Sequence, residues 1–106
     1  MDGTAGSALG RTAVRMRALQ GAGWLAHVQN DGNSARTLLE ESLSIARQIA
    51  DQRATAWGMH VLGRVMYFEG DFTRAAELGQ RALDLSRVIG DDWVVGWCLH
   101  LLARAA

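Results

Sequence analysis

The sequence has no proline and no lysine, and Cys98 is its one cysteine. A single cysteine excludes an internal disulfide, so the chain fits a reducing compartment, and we expect it to be cytoplasmic. Because Cys98 stands among apolar residues, we expect it to be a small buried side chain. Without proline, the helices must end at glycines or at capping side chains.

An excess of charge and long apolar runs are also absent. Eleven basic and eleven acidic residues give a formal net charge of zero. Surfaces that bind nucleic acid usually carry a strong basic excess, so we expect no direct nucleic-acid binding by this segment. No apolar run reaches the roughly 20 residues that span a bilayer, so we expect no membrane partner. Residues 1–11 are rich in small residues, lack a secretion-signal pattern and are predicted to form a flexible N-terminal segment.

What the sequence does contain is an internal repeat. Shifting it by forty residues brings glycine onto glycine, aspartate onto aspartate and tryptophan onto tryptophan. The matched pairs are Gly23 and Gly63, Asp31 and Asp71, Ala35 and Ala75, Leu38 and Leu78, Asp51 and Asp91, Trp57 and Trp97, His60 and His100, Leu62 and Leu102, and Arg64 and Arg104. A fixed period of this length is typical of stacked-repeat proteins.

Apolar residues at helical spacing predict five helices within residues 12–106. The predicted extents are Thr12 to Asn30, Ala35 to Ile49, Arg53 to Glu69, Phe72 to Ile89, and a fifth helix from the Asp91 cap to Ala106. The first, third and fifth are apolar almost all round, whereas the second and fourth have one apolar stripe. A stack of hairpins requires this difference, because its inner helices are covered on several sides and its outer helices are half solvated.

These positions resemble the tetratricopeptide repeat. Its Leu-Gly pair, its Gly-Asp-aromatic turn and its two small residues in the second helix appear as Leu62-Gly63, Gly70-Asp71-Phe72, Ala75 and Ala82, and more weakly as Ala22-Gly23, Asn30-Asp31, Ala35 and Ser42. The resemblance implies an all-α, right-handed solenoid of antiparallel helix hairpins, with about two and a half repeats. The period of forty differs from the family's usual 34, and a HEAT-like repeat is the alternative.

A narrower resemblance concerns residues 18–26, 38–51 and 57–78 and the second copy that starts at Trp97, and it covers about residues 13–106. They look like the long-period repeats of large bacterial regulators, in which a signalling ATPase precedes the repeats and a LuxR-type helix-turn-helix often follows. This implies a protein-binding or peptide-binding scaffold within a bacterial transcriptional or signalling regulator. The chain has no GxxxxGK[ST] loop, so nucleotide hydrolysis is not implied for this segment.

In the tetratricopeptide family, one face of each first helix lines a concave groove. The residues predicted to line it are Arg17, Gln20, Trp24, His27, Trp57, His60, Arg64, Tyr67, Trp97, His100 and Arg104. Aromatic side chains offer large, stiff contact areas, and arginine binds carboxylates with paired hydrogen bonds. The expected ligand is therefore a peptide with an acidic and an apolar residue.

Two other interpretations concern the same face. Trp57 and Trp97 are expected to pack between adjacent repeats, whereas His60, Arg64 and Arg104 are expected to be exposed, because burying an unpaired charge is costly. The histidines predict no metal site, because those on neighbouring helices would stand about 10 Å apart without a cysteine or carboxylate to complete a ligand set. No nucleophile and base lie together, so we expect no enzyme activity and no cofactor.

The last helix is as apolar as the internal ones, although a solenoid normally ends in a polar helix. Its open side would expose Val94, Val95, Leu99, Leu101 and Leu102. Exposed apolar surface usually marks an interface. The chain is therefore either a piece of a longer array or a unit that forms homo-oligomers through this helix, and self-assembly is the alternative function.

Overall fold

The computed structural model describes residues 3–106, with side chains from residue 8 onward. Its five helices are α1 (Gly3–Val28), α2 (Gly32–Gln48), α3 (Gln52–Phe68), α4 (Phe72–Ile89) and α5 (Asp92–Ala105). The predicted all-α architecture is confirmed, and over the described range no strand interrupts it. None of the five helices between residues 3 and 106 has the length and hydrophobicity of a membrane span.

The predicted start of the first helix at Thr12 is wrong, because α1 already begins at Gly3. The Thr12 hydroxyl donates a hydrogen bond to the Ala8 carbonyl (3.0 Å) within the helix and does not cap a new one. Gly10 weakens helix propensity without ending the helix. Residues 1 and 2 of the predicted flexible segment lie outside the described residues, and the domain boundary after residue 11 stays a prediction.

The helices form two hairpins and a half. Helix α1 pairs with α2 and α3 with α4, while α2 also packs on α3 and α4 on α5. The first helices of the repeats, α1, α3 and α5, form an inner row, and α3 contacts all four other helices. The middle hairpin is thus the part of the stack with neighbours on both sides.

All four turns share one two-residue design. A residue with left-handed backbone ends each helix, and an aspartate follows it, in the pairs Asn30-Asp31, Ala50-Asp51, Gly70-Asp71 and Gly90-Asp91. In the third turn the Asp71 N–H donates to the Met66 carbonyl (2.9 Å), and the Asp71 carboxylate accepts from the Arg74 N–H (3.2 Å). One residue therefore closes one helix and caps the next.

Small residues bring the paired helices close together. A Cβ on Gly23 would lie 2.7 Å from Cγ of Leu39, and one on Gly63 would lie 2.9 Å from Cδ2 of Leu101. Ala75, which faces Gly63 through its carbonyl oxygen, is fully buried. Cys98 is fully buried in the same core, where burial raises the pKa of its thiol to about 11, as expected for a small apolar side chain.

The last helix is less open than its sequence suggests. Val94 and Leu101, which were expected to be exposed, are each only 2% accessible. Helix α5 packs on α4, and Leu101 reaches Gly63 and Gly79, where no side chain stands in its way. The expectation is therefore wrong for these two residues. Of the other three, Val95 and Leu102 are half-buried and Leu99 is exposed.

Ala50 offers a test of the turn design. Its φ of 57° costs a residue with a Cβ about 1 kcal/mol or more, and glycine adopts this backbone freely. Part of the gain is lost, because glycine is more flexible in the unfolded chain. We expect Ala50→Gly to raise the free energy of unfolding by roughly 0.5 kcal/mol in urea denaturation. The control Gly90→Ala makes the reverse change at the same place one repeat later and should lower the free energy of unfolding by a similar amount, roughly 0.5 kcal/mol. A loss of stability in Ala50→Gly would contradict the prediction.

Candidate peptide-binding groove

A continuous cluster of aromatic rings covers the inner row of helices. The Trp57 ring centroid lies 5.9 Å from that of Trp24, 5.0 Å from that of Trp93 and 6.2 Å from that of Trp97. Trp57 and Trp93 stack with an angle of 25° between their planes. Trp57 and Trp97 are half-buried and join neighbouring repeats, so their predicted packing is confirmed.

A second group of rings lies at the C-terminal end of α3. The Phe68 ring lies 5.3 Å from His27 and 5.4 Å from Tyr67, and Tyr67 lies 5.3 Å from Phe72. The Arg104 guanidinium lies 5.8 Å from the Tyr67 ring centroid and is exposed, as predicted. This group extends the aromatic surface along the full length of α3.

Arg64 lies between the two groups of rings. Its guanidinium carbon is 5.8 Å from the Trp24 ring centroid, 5.7 Å from Trp97 and 6.0 Å from Phe68. Such cation–π contacts stabilise by about 0.5–2 kcal/mol each. The predicted exposure is wrong, because these rings leave Arg64 half-buried, with a buried Nε that has no partner in the described chain. Burial, and then the nearby Arg104 charge, lower the pKa of Arg64.

His60 is fully buried, so its predicted exposure is also wrong. Its ring lies 4.9 Å from Trp57 and 5.8 Å from Trp97, which cover it from its own helix and from α5. Neither ring nitrogen has a hydrogen-bond partner among residues 8–106. Burial, and then the positive charge of Arg64, lower the pKa of His60 to about 3. His60 is therefore a neutral support behind the aromatic surface.

Of the remaining predicted groove residues, two are half-buried and two are exposed. The Gln20 amide donates to the Ala54 carbonyl (3.1 Å), so this side chain joins α1 to α3. His27 is half-buried, and burial followed by the Arg64 charge lowers its pKa. Arg17 and His100 are exposed. The structure thus brings Trp24, His27, Trp57, Arg64, Tyr67 and Trp97 together around one surface.

A cleft of about 540 Å³ adjoins this surface at the N-terminal ends of α3 and α5. We call it the N-terminal cleft; its lining residues are Met16, Arg17, Gln20, Asp51, Arg53, Ala54, Trp57, Asp91, Trp93 and Val94. The volume is in the range of sites that bind small ligands or single large side chains. The cleft and the aromatic surface share Trp57 and Trp93.

Trp93 and Phe68 belong to this surface but were missed in the sequence. The forty-residue shift aligns Trp93 with Arg53 and Phe68 with Val28, so neither is a repeated aromatic position. The one available signal was the spacing of Trp93 and Trp97, because residues four apart lie on the same side of a helix.

The hairpin stack and its inner surface define an all-helical repeat protein. A model of the tetratricopeptide repeat matches residues 15–87, which is more than half of the chain. The chain therefore belongs to the tetratricopeptide repeat family, whose repeats are scaffolds for protein–protein interaction. A comparison with curated proteins found none that matches.

His60 makes stability depend on pH. The native pKa of about 3 lies below the unfolded value of 6.5, so in this window the unfolded chain binds a proton that the native protein does not. Stability therefore falls as the pH decreases from 6.5 toward 3. The free energy of unfolding of the unmodified protein therefore falls as the pH is lowered from 7 to 5, whereas His60→Leu lacks this loss. We expect the difference in free energy of unfolding between His60→Leu and the unmodified protein to shift by about 2 kcal/mol in favour of His60→Leu over this range.

Urea denaturation of both proteins at the two pH values measures this gain. His27 is present in both proteins, so the difference between them isolates His60. A stability difference that stays constant from pH 7 to pH 5 would show that His60 is not held neutral in the native state.

Proposed function

We propose that this chain binds a protein partner through a peptide segment that lies along the aromatic surface, with a carboxylate of the partner on Arg64. The observation that carries this proposal is the half-buried Arg64 guanidinium, which has no ion pair among residues 8–106. Four other arginines do have carboxylate partners, in the pairs Arg15–Glu41, Arg36–Glu69, Arg53–Asp91 and Arg74–Asp71. An incoming carboxylate would accept strong, charge-assisted hydrogen bonds from Arg64.

The apolar part of the surface favours a peptide over a free ion. Trp93, Phe68 and Phe72 are 63%, 62% and 51% exposed, although rings of this size are usually more buried. Tryptophan and arginine are the residue types that dominate binding energy at protein interfaces. Arg104, at the edge of the surface over Tyr67, provides a second positive charge for an acidic segment.

The wider setting is also a proposal. We infer that the chain is an interaction module of a cytoplasmic bacterial regulator, without catalytic activity or a cofactor of its own. The resemblance of residues 38–51 and 57–78 to the repeats of LuxR-type and signalling-ATPase regulators supports it. The full reading frame tests it, because an ATPase module and a helix-turn-helix should flank this segment.

Peptide selection tests the groove. We expect peptides selected from a random library on the purified chain to share an acidic residue, because its carboxylate would pair with the Arg64 guanidinium. Arg64→Gln combined with Arg104→Gln should weaken the binding of such a peptide by at least about tenfold in calorimetric titration. The control is Arg47→Gln with Arg87→Gln, which removes two exposed charges from the outer helices.

Unchanged binding by the Arg64 and Arg104 variant would reject the groove as the binding site. Circular dichroism should show that both double variants keep their helix content, so that a loss of binding is not a loss of fold.

Self-assembly through α5 is the second candidate function. Leu99 is 45% exposed, whereas Met59, at the same position one repeat earlier, is 4% exposed. Leu102 is half-buried, and the equivalent Leu62 is 6% exposed. Positions that are buried on α3 are therefore partly open on α5.

Light scattering tests this candidate. If α5 mediates self-association, the protein should have at least a dimeric mass at tens of micromolar, and Leu99→Glu should reduce it to a monomer, because a buried unpaired carboxylate is costly. Leu99 is a cleaner position than Leu102, which packs near Gly79 within the chain. The control Leu25→Glu changes an exposed leucine on α1. A monomeric mass for the unmodified protein would rule self-association out.

A further inference from the structure

One face of α1 has the composition of a buried interface but is open to water. Its four apolar residues follow one another at spacings of four, three and four, which places them on the same side of the helix. They are Val14, Ala18, Gly21 and Leu25, and we call them the α1 stripe. All four are exposed, and Val14 and Leu25 are 62% and 56% accessible. Contiguous apolar surface of this kind usually marks an interface.

The same positions in the next two repeats are apolar and covered. The forty-residue shift aligns the α1 stripe with four residues on α3 and four on α5. They are Ala54, Gly58, Val61 and Val65 on α3, and Val94, Cys98, Leu101 and Ala105 on α5. Seven of these eight residues are buried, and Ala105 is half-buried. The α1 stripe therefore corresponds to a surface that serves as a helix contact in both later repeats.

The second helix of the preceding hairpin packs on this surface in both cases, α2 on α3 and α4 on α5. A Cβ on Gly58 would lie 3.4 Å from Cδ1 of Leu43, which is an ordinary contact. Ala18, the equivalent of Gly58, therefore leaves room for the same leucine. Ala46, three residues after Leu43, packs in one buried cluster with Ala54. The surface thus fits an amphipathic helix with a leucine and, three residues later, a small residue.

The charges of α1 favour an acidic partner. The helix contains Arg11, Arg15 and Arg17 and no acidic residue. Arg15 pairs with Glu41, whereas Arg11 and Arg17 have no carboxylate partner within residues 8–106. At about 100° per residue, Arg11 and Arg17 flank the α1 stripe on its two sides. A helix with acidic residues beside its apolar stripe would therefore meet a positive charge on each side.

We propose that the α1 stripe binds an acidic amphipathic helix of a partner protein, which packs on α1 as α2 packs on α3. A leucine of the partner lies over Ala18, and its acidic residues pair with Arg11 and Arg17. This surface is separate from the aromatic groove. The inference does not use Arg64, so it is independent of the proposed function.

A peptide with the sequence of α2 and its caps serves as the probe. It comprises residues 31–50, acetylated and amidated, and a second peptide carries the change Arg47→Glu. Because Ala46 packs with Ala54, whose equivalent on α1 is Val14, the same packing places position 47 near the Arg11 end of the stripe. We expect the Arg47→Glu peptide to bind about fivefold more tightly in calorimetric titration at low salt, because an attraction replaces a repulsion. Arg11→Gln in the protein should remove most of this advantage.

Leu25→Glu tests the stripe itself. It should weaken the binding of both peptides at least about tenfold, because the contact would bury an unpaired carboxylate. The matched control is Leu9→Glu, which changes a leucine of similar exposure (59%) on the opposite side of α1. Because both leucines are exposed, both variants should keep their helix content, which circular dichroism checks.

The outcomes identify the occupant of the stripe. Binding that survives Leu25→Glu would overturn the inference, because the peptide would then have replaced α2 in its own hairpin. Equal affinity of the two peptides, or no binding by either at about 1 mM, would also overturn it. An oligomer of the unmodified protein that Leu25→Glu dissociates and Leu9→Glu does not would assign the stripe to a second copy instead.

Arg64→Gln separates this inference from the proposed function. It should leave the binding of both peptides unchanged, although it weakens the acidic peptides selected on the groove. A loss of binding by the residue 31–50 peptides in Arg64→Gln would place them in the groove and reject the α1 stripe as their site.

Discussion

The stack depends on the hydrogen bonds of one aspartate at each turn. The ends of helices leave backbone N–H and carbonyl groups unpaired, and turns of two or three residues leave little room for other partners. One aspartate in each turn pairs some of these groups. Its backbone N–H donates to a carbonyl of the preceding helix, and its carboxylate accepts from an N–H of the following helix, at Asp31, Asp51, Asp71 and Asp91. Because the turns recur every twenty residues, each inner helix lies beside the next, and their aromatic residues form one surface.

The chemistry of the surface follows from the neutrality of His60. A positive charge behind Trp57 and Trp97 would repel Arg64, and burial prevents that charge from forming near neutral pH. Arg64 therefore remains the one cation that the rings enclose, with Arg104 at the exposed edge. A partner's carboxylate would meet a charge that is already partly removed from water, which strengthens the attraction between them.

The sequence predicted those features that repeat. The forty-residue register predicted the stack of helix hairpins, and the sequence also predicted the Asp91 cap of the fifth helix and the packing of Trp57. It could not predict the burial of His60, because a helical wheel describes one helix, whereas Trp97 covers His60 from another. The roles of Trp93 and Phe68 were missed for the same reason, since their contacts come from the way α1, α3 and α5 are placed and not from a repeated pattern.

All four tryptophans of the chain, Trp24, Trp57, Trp93 and Trp97, belong to the one ring cluster on the inner face. The outer helices have none, so the intrinsic fluorescence of the protein originates in the groove. Indole emission moves to longer wavelength when water reaches the ring. A ligand that covers these rings should therefore change the tryptophan emission of the unmodified protein, so its binding can be followed without an added fluorophore. The same property means that an emission change during denaturation reports on α1, α3 and α5, which carry the tryptophans, whereas circular dichroism reports on all five helices.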